Sequence, residues 1–185
     1  ALAAYDAPKL IDLSVKRFVE ETASESPAPG GGSISAAMGA MGAALGAMVA
    51  NLSSHKRGWD ERWEEFSDWA ERGKALQDEL LALVDADTAA FNRLMEAFGL
   101  PKADDAEKAA RSAAIQAATL AATQIPLQTM RAALAAMDVC EAMTRLGNPN
   151  SVSDAGVGAL ACRAAALGAG LNVRINAASS SFTRR

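Results

Sequence analysis

"SPAPGGGSISAAMGAMGAALGAMVANLSS", residues 26–54, holds no charged side chain. Two prolines and three consecutive glycines lead into a run made almost wholly of Ala, Gly, Met and Ser. Long uncharged runs suggest membrane spans, which need about 20 apolar residues. Yet Ile34–Ala50 contains only one Leu, one Ile and one Val. So weak a hydrophobicity predicts a helix buried among other helices instead. Gly39, Gly42 and Gly46 fall on successive turns of one face, where a neighbouring backbone can approach closely. Each costs about 1 kcal/mol in a helix interior, so three together imply a packing reason. Ser33 is the expected N-cap, with the helix running over about 33–53.

The rest of the 185-residue chain agrees with that reading. Half of its residues are apolar, only 5% are aromatic, and Ala, Leu and Met favour helix over strand. A helical pattern covers 9–25. A polar connector from His55 leads into a Trp-bearing helix that continues to Phe98, ending at Gly99 and Pro101. Asp104 or Asp105 begins the next helix. Pro126 lies inside that pattern and is expected to break or kink it, with a further helix over 127–146. After the loop "GNPNSVSD", a last long helix reaches Asn176, capped by Ser151 or Ser153. No segment alternates with period two. The expected fold is an all-α bundle of long antiparallel helices with short loops.

Charge and cysteine content exclude several classes. The net charge is −4, and no Lys/Arg cluster suits a nucleic-acid surface. Cys140 and Cys162 have neither metal spacing nor a disulfide framework, which fits a reducing compartment. His55 is the one histidine and has no ligand partner at metal spacing, so no metal is expected. No charged segment precedes a short apolar run at the start, so no signal peptide is expected.

One charge is out of place. On the helix ending at Phe98, the apolar stripe runs Leu76, Leu80, Leu83, Phe91, Leu94, Phe98, and its ladder passes through position 87. That position is Asp87. Asp85, two residues earlier, lies about 200° round the helix on a more polar side. A carboxylate on an apolar seam is desolvated, its pKa rises, and it becomes a usable proton donor or acceptor near neutral pH. The structural alternative is a buried Asp that caps a helix or pairs with an Arg. Likewise, Asn148, Asn150, Ser151, Ser153 and Asp154 suit a helix cap or a polar ligand, and Asn172 and Asn176 a helix bridge or a site wall.

"SPAPGGGSISAAMGAMGAALGAMVANLS", "LVDADTAAFNRLMEAFGLPK", "IPL" and "GNPNSVSDAGVGAL…GAGLNVRIN" together resemble the cyclodeaminase domain of formimidoyltransferase-cyclodeaminase and the related methenyltetrahydrofolate cyclohydrolases. The resemblance covers about Lys9 to Asn176. It makes residues 1–8 look like the tail of a linker. At the other end, "AASSSFTRR" stands where relatives continue into another helix.

The resemblance implies a cytoplasmic, all-helical homodimer acting on a folate, polyglutamylated forms included, with no separate cofactor. It implies closure of 5-formiminotetrahydrofolate to 5,10-methenyltetrahydrofolate with loss of ammonia, cyclohydrolase activity being the nearest alternative. It makes Asp87 the catalytic residue. It assigns the pterin to Asn148, Asp154, Asn172 and Asn176, the glutamyl tail to Lys56 or Arg57, and one wall of the cleft to Gly30, Gly31, Gly32 and Ser33. A non-catalytic dimerisation module is the reading from another class; the Gly-rich helices suit it, and Asp87 does not.

Overall fold

The computed structural model describes residues 9–179. Five α-helices account for most of them: α1 (Val15–Thr22), α2 (Gly31–Ser54), α3 (Trp63–Phe98), α4 (Asp105–Leu146) and α5 (Val152–Ser179). Short 3₁₀ turns precede α1, α3 and α5, and no strand occurs among the described residues. The expected linker at 1–8 and the end of the chain at 180–185 lie outside the described residues.

The small-residue helix is central. α2 packs against α3, α4 and α5, and its Ala36, Ala40, Ala43, Val49 and Ala50 are buried. It is long and apolar enough to cross a membrane, but here it is largely enclosed by the bundle. Its glycines set how close the neighbours come. A Cβ on Gly42 would lie 2.4 Å from Cys162 Sγ and 2.7 Å from the Gly158 carbonyl oxygen, so the α2 and α5 backbones meet there. Leu80 and Val84 of α3 fill the same core; full burial of a side chain such as Leu80 is worth about 1.5–3 kcal/mol. At the far end, Phe66 stacks on Trp59 with centroids 5.4 Å apart.

Three sequence expectations change. The 9–25 pattern is two elements, a 3₁₀ turn at Leu10–Asp12 and then α1, because Ser14 caps α1 by accepting the Arg17 N–H. Ser33 is not an N-cap. α2 starts at Gly31 with Gly30 in the cap position, and the Ser33 hydroxyl points across to α3. Pro126 does not split its helix, since α4 runs through it from Asp105 to Leu146. Pro126 has no N–H for the Ala122 carbonyl, and Asn176 Nδ2 of α5 donates to that oxygen at 2.7 Å. At the start of α4, Asp104 accepts the Glu107 N–H and Glu107 accepts the Ala103 N–H, a reciprocal cap.

Candidate active site

Asp87 stands where the N-terminus of α2 meets the middle of α3. Leu80, Leu83 and Val84 below it are buried, so the carboxylate sits where the apolar seam opens. Gly32 makes that approach possible: a Cβ on Gly32 would lie 2.1 Å from Asp87 Oδ1. No other residue type leaves the carboxylate where it is.

The hydrogen bonding around Asp87 centres on Ser33, which is fully buried. Its hydroxyl lies 2.9 Å from the Val84 carbonyl oxygen, 3.1 Å from Asp87 Oδ2 and 3.2 Å from Thr88 Oγ1. A hydroxyl has one proton to donate. It can serve an ionised Asp87, or turn to the Val84 carbonyl while a protonated Asp87 donates to it. The site thus accommodates both protonation states. Burial raises the Asp87 carboxyl above its ordinary value, while hydrogen bonds from the Ser33 hydroxyl and backbone N–H act in the opposite direction.

Asp87 opens into a cleft of about 260 Å³, lined also by Pro27, Ala28, Gly30, Gly31, Thr88, Phe91, Leu94, Ala122, Asn172 and Asn176. It has an apolar wall from α3, backbone from the glycine turn, and two amides from α5. The Asn172 and Asn176 Nδ2 groups already donate to the Gly168 and Ala122 carbonyls, which leaves each amide oxygen as an acceptor for a ligand N–H.

Of the expected site residues, Asp87, Ser33, Gly30, Gly31, Gly32, Asn172 and Asn176 therefore come together. The other four do not within one chain. Lys56 and Arg57 follow the C-terminus of α2, and a 24-residue helix separates them from the glycine turn by about 36 Å. The Lys56 ammonium lies 3.8 Å over the Trp59 ring. Asn148 and Asp154 belong to that same far end, where the Asn148 N–H donates to Ser53 Oγ at 2.8 Å. The i, i+3/i+4 patterns that located these residues say nothing of which bundle end they reach.

Sequence reasoning missed Thr88, Phe91 and Leu94 as lining residues, although the latter two are on the stripe that singled out Asp87. It also placed Asp85 on the more polar side of α3 without giving it a partner. Asp85 Oδ1 accepts the Leu10 N–H at 2.7 Å and pins the N-terminal turn to α3, while Oδ2 is enclosed with no hydrogen-bond partner. Among the described residues, no three His, Cys, Asp or Glu side chains converge as a metal site.

With that geometry in view, residues 14–181 match the family model for formiminotransferase-cyclodeaminase. The chain belongs to that family. It is 41% identical over 164 residues to a methenyltetrahydrofolate cyclohydrolase of Methylorubrum extorquens, covering 89% of this chain and 79% of that protein. It is 35% identical over 167 residues to the formimidoyltransferase-cyclodeaminase of Mus musculus, covering 90% of this chain but 31% of that protein. The chain thus spans about a third of the length of the bifunctional relative. Its fold is similar to a crystal structure of formiminotetrahydrofolate cyclodeaminase from Thermotoga maritima, with a TM-score of 0.81 and 29% identity over 94% of this chain and 82% of that one. The family is one of folate-processing enzymes of helical fold, as the resemblance implied.

Proposed function

We propose that this chain catalyses proton-coupled chemistry at the one-carbon bridge between N5 and N10 of tetrahydrofolate, and that its reaction is the hydrolysis of 5,10-methenyltetrahydrofolate. The observation that supports it best is Asp87, set on an apolar seam with a hydroxyl that serves both of its protonation states. The cyclohydrolase relative favours water as the attacking group, because it is similar over most of its own length as well as this chain's.

In this reading the pterin rests in the cleft with its N–H groups toward the amide oxygens of Asn172 and Asn176. Ionised Asp87 takes a proton from a water that adds to the methenyl carbon. As the C–N5 bond breaks, Asp87 returns that proton to N5. The hydroxyl proton of the addition product leaves to solvent, and the formyl group stays on N10. A base of raised pKa suits both steps, and holding the bridge against the carboxyl supplies the positional part of the acceleration.

Cyclodeamination is the second reading, favoured by the structural likeness to the Thermotoga maritima cyclodeaminase. N10 then attacks the carbon of the protonated formimino group, Asp87 accepts the N10 proton and delivers it to the amino group, which departs as ammonia and leaves the methenyl cation. No separate cofactor enters either route, a cytoplasmic setting suits both, and a homodimer is the proposed assembly.

The test is to supply the purified protein with 5,10-methenyltetrahydrofolate and, separately, with 5-formiminotetrahydrofolate. Enzyme-dependent loss of methenyl absorbance supports the hydrolase. Gain of that absorbance together with ammonia supports the cyclodeaminase. Neither change would overturn the reading as a folate enzyme.

A further inference from the structure

Thr88 differs from the other threonines of this chain. Among the described residues, Thr22, Thr119, Thr123, Thr129 and Thr144 each donate a side-chain hydrogen bond to the carbonyl four residues earlier in their own helix. That back-bond is a threonine's ordinary habit inside a helix. Thr88 does not make it. The carbonyl four residues before it is that of Val84, and the Ser33 hydroxyl of α2 lies against that oxygen at 2.9 Å. Thr88 Oγ1 is instead hydrogen-bonded with Ser33 Oγ at 3.2 Å, and either oxygen can be the donor. Ser33 Oγ lies in turn 3.1 Å from Asp87 Oδ2. Asp87, Ser33 and Thr88 thus form an unbroken row of hydrogen-bonded oxygens.

The row ends at a second cavity. A space of about 530 Å³ lies beside the Asp87 cleft, with Lys9, Arg17, Glu21, Asp85 and Asn92 in its lining. Lys9, Arg17, Glu21 and Asn92 are exposed, so this space opens to solvent, and its size and polarity suit water. Pro27, Ala28 and Thr88 line both the cleft and the second cavity. These three residues are therefore the partition between the two. Of their side chains, only that of Thr88 can pass a proton, because a hydroxyl both donates and accepts.

The hydrolysis proposed above leaves one proton over: a methenyl cation and water give a neutral formyl group and a proton. A folate that fills the cleft covers Asp87 on that side. We propose that Ser33 and Thr88 carry this proton from Asp87 through the partition into the second cavity, which makes Thr88 a relay residue of the reaction. The relay rests on the hydrolytic reading. After Asp87 has returned the first proton to N5, the ionised carboxylate accepts the hydroxyl proton of the addition product. Asp87 then donates to Ser33 Oγ, Ser33 passes its own proton to Thr88 Oγ1, and Thr88 passes its own to water. Each hydroxyl gains one proton and gives up one, and Asp87 is ionised again for the next water. Cyclodeamination needs no such exit, since there the N10 proton departs with the ammonia.

The test compares Thr88→Val, Thr88→Ala and Thr88→Ser with the wild type in hydrolysis of 5,10-methenyltetrahydrofolate, followed by its absorbance. Valine keeps the volume of threonine and removes the hydroxyl. Alanine removes the hydroxyl but leaves room for water to reach Ser33. The transfer follows ring opening, so its loss falls on kcat. Thr88→Val should lower kcat by roughly five-fold or more, with kcat/KM within about two-fold of wild type. Thr88→Ala should lose less than Thr88→Val, and Thr88→Ser should stay within about two-fold of wild type. A role in packing alone gives the reverse order, with alanine worse than valine because it leaves a void, and kcat and kcat/KM falling together. That pattern, a Thr88→Val that does not fold, or one with wild-type kcat overturns the relay and leaves the hydrolytic function standing. A wild type that does not hydrolyse the methenyl compound overturns the hydrolytic reading and the relay with it.

Discussion

Asn176 of α5 donates its side-chain N–H to the carbonyl of Ala122, the oxygen that Pro126 leaves without its usual partner four residues on. One hydrogen bond therefore joins a helix defect to the wall of the cleft. Asn176→Ala should lower stability by about 1–3 kcal/mol, the cost of an unsatisfied, partly buried acceptor. In a Pro126→Ala background the restored N–H supplies the missing bond, so the same Asn176→Ala change should cost about 1 kcal/mol less. Urea unfolding of the four proteins in this cycle measures the difference; equal costs in both backgrounds would separate the amide from the proline.

Asp87→Asn should abolish turnover, a loss of about 10²–10⁴-fold for a removed acid–base group, while making the protein more stable at neutral pH. The sign follows from burial, which raises the folded-state pKa. The stability that the protonated carboxyl contributes is fully present below the unfolded value and is lost as pH rises through the folded one. Thermal melts across pH should show Asp87→Asn gaining on the wild type as pH rises from the ordinary carboxylate range, with no gain below it. A less stable variant at pH 7 would contradict the raised pKa.

Ser33→Ala removes the hydroxyl that holds the Asp87 pKa down. The pKa should rise further, moving the limb of the kcat/KM profile that reports ionisation of Asp87 to higher pH. A profile that drops uniformly with no shift of that limb would show that Ser33 matters only for packing.

The glycine triplet should divide sharply. Gly32→Ala places a Cβ against the Asp87 carboxylate and should depress activity nearly as far as Asp87→Asn, with a stability cost of about 1–3 kcal/mol from overpacking. Gly30→Ala meets nothing within 4 Å and should be close to wild type. A Cβ on Gly31 would be in ordinary contact with Asn172 Nδ2 at 3.4 Å, so a valine there should act mainly on KM. Circular dichroism and steady-state kinetics on the three variants check the order.

Much of this could be read from residue spacing. Helix periodicity placed Asp87 on the apolar seam of α3 and Gly39, Gly42 and Gly46 on one contact face, because the 3.6-residue repeat determines which side chains share a side. Asp104 read as a helix start because capping is local. Ser33 has the same local signature, yet it lies inside α2, which starts at Gly31, and its hydroxyl bonds to Val84 and Asp87 of α3, 51 and 54 residues away.

What the sequence by itself determined is the helical class, the one carboxylate out of place and the break at the glycine turn, all matters of local pattern. Only the tertiary structure decided that Pro126 leaves α4 continuous, that Gly32 rather than its neighbours admits Asp87, and that Lys56, Arg57, Asn148 and Asp154 lie at the other end of the bundle. Those depend on which helix ends meet in space, and a helix rise of about 1.5 Å per residue turns a modest sequence separation into the full length of the molecule.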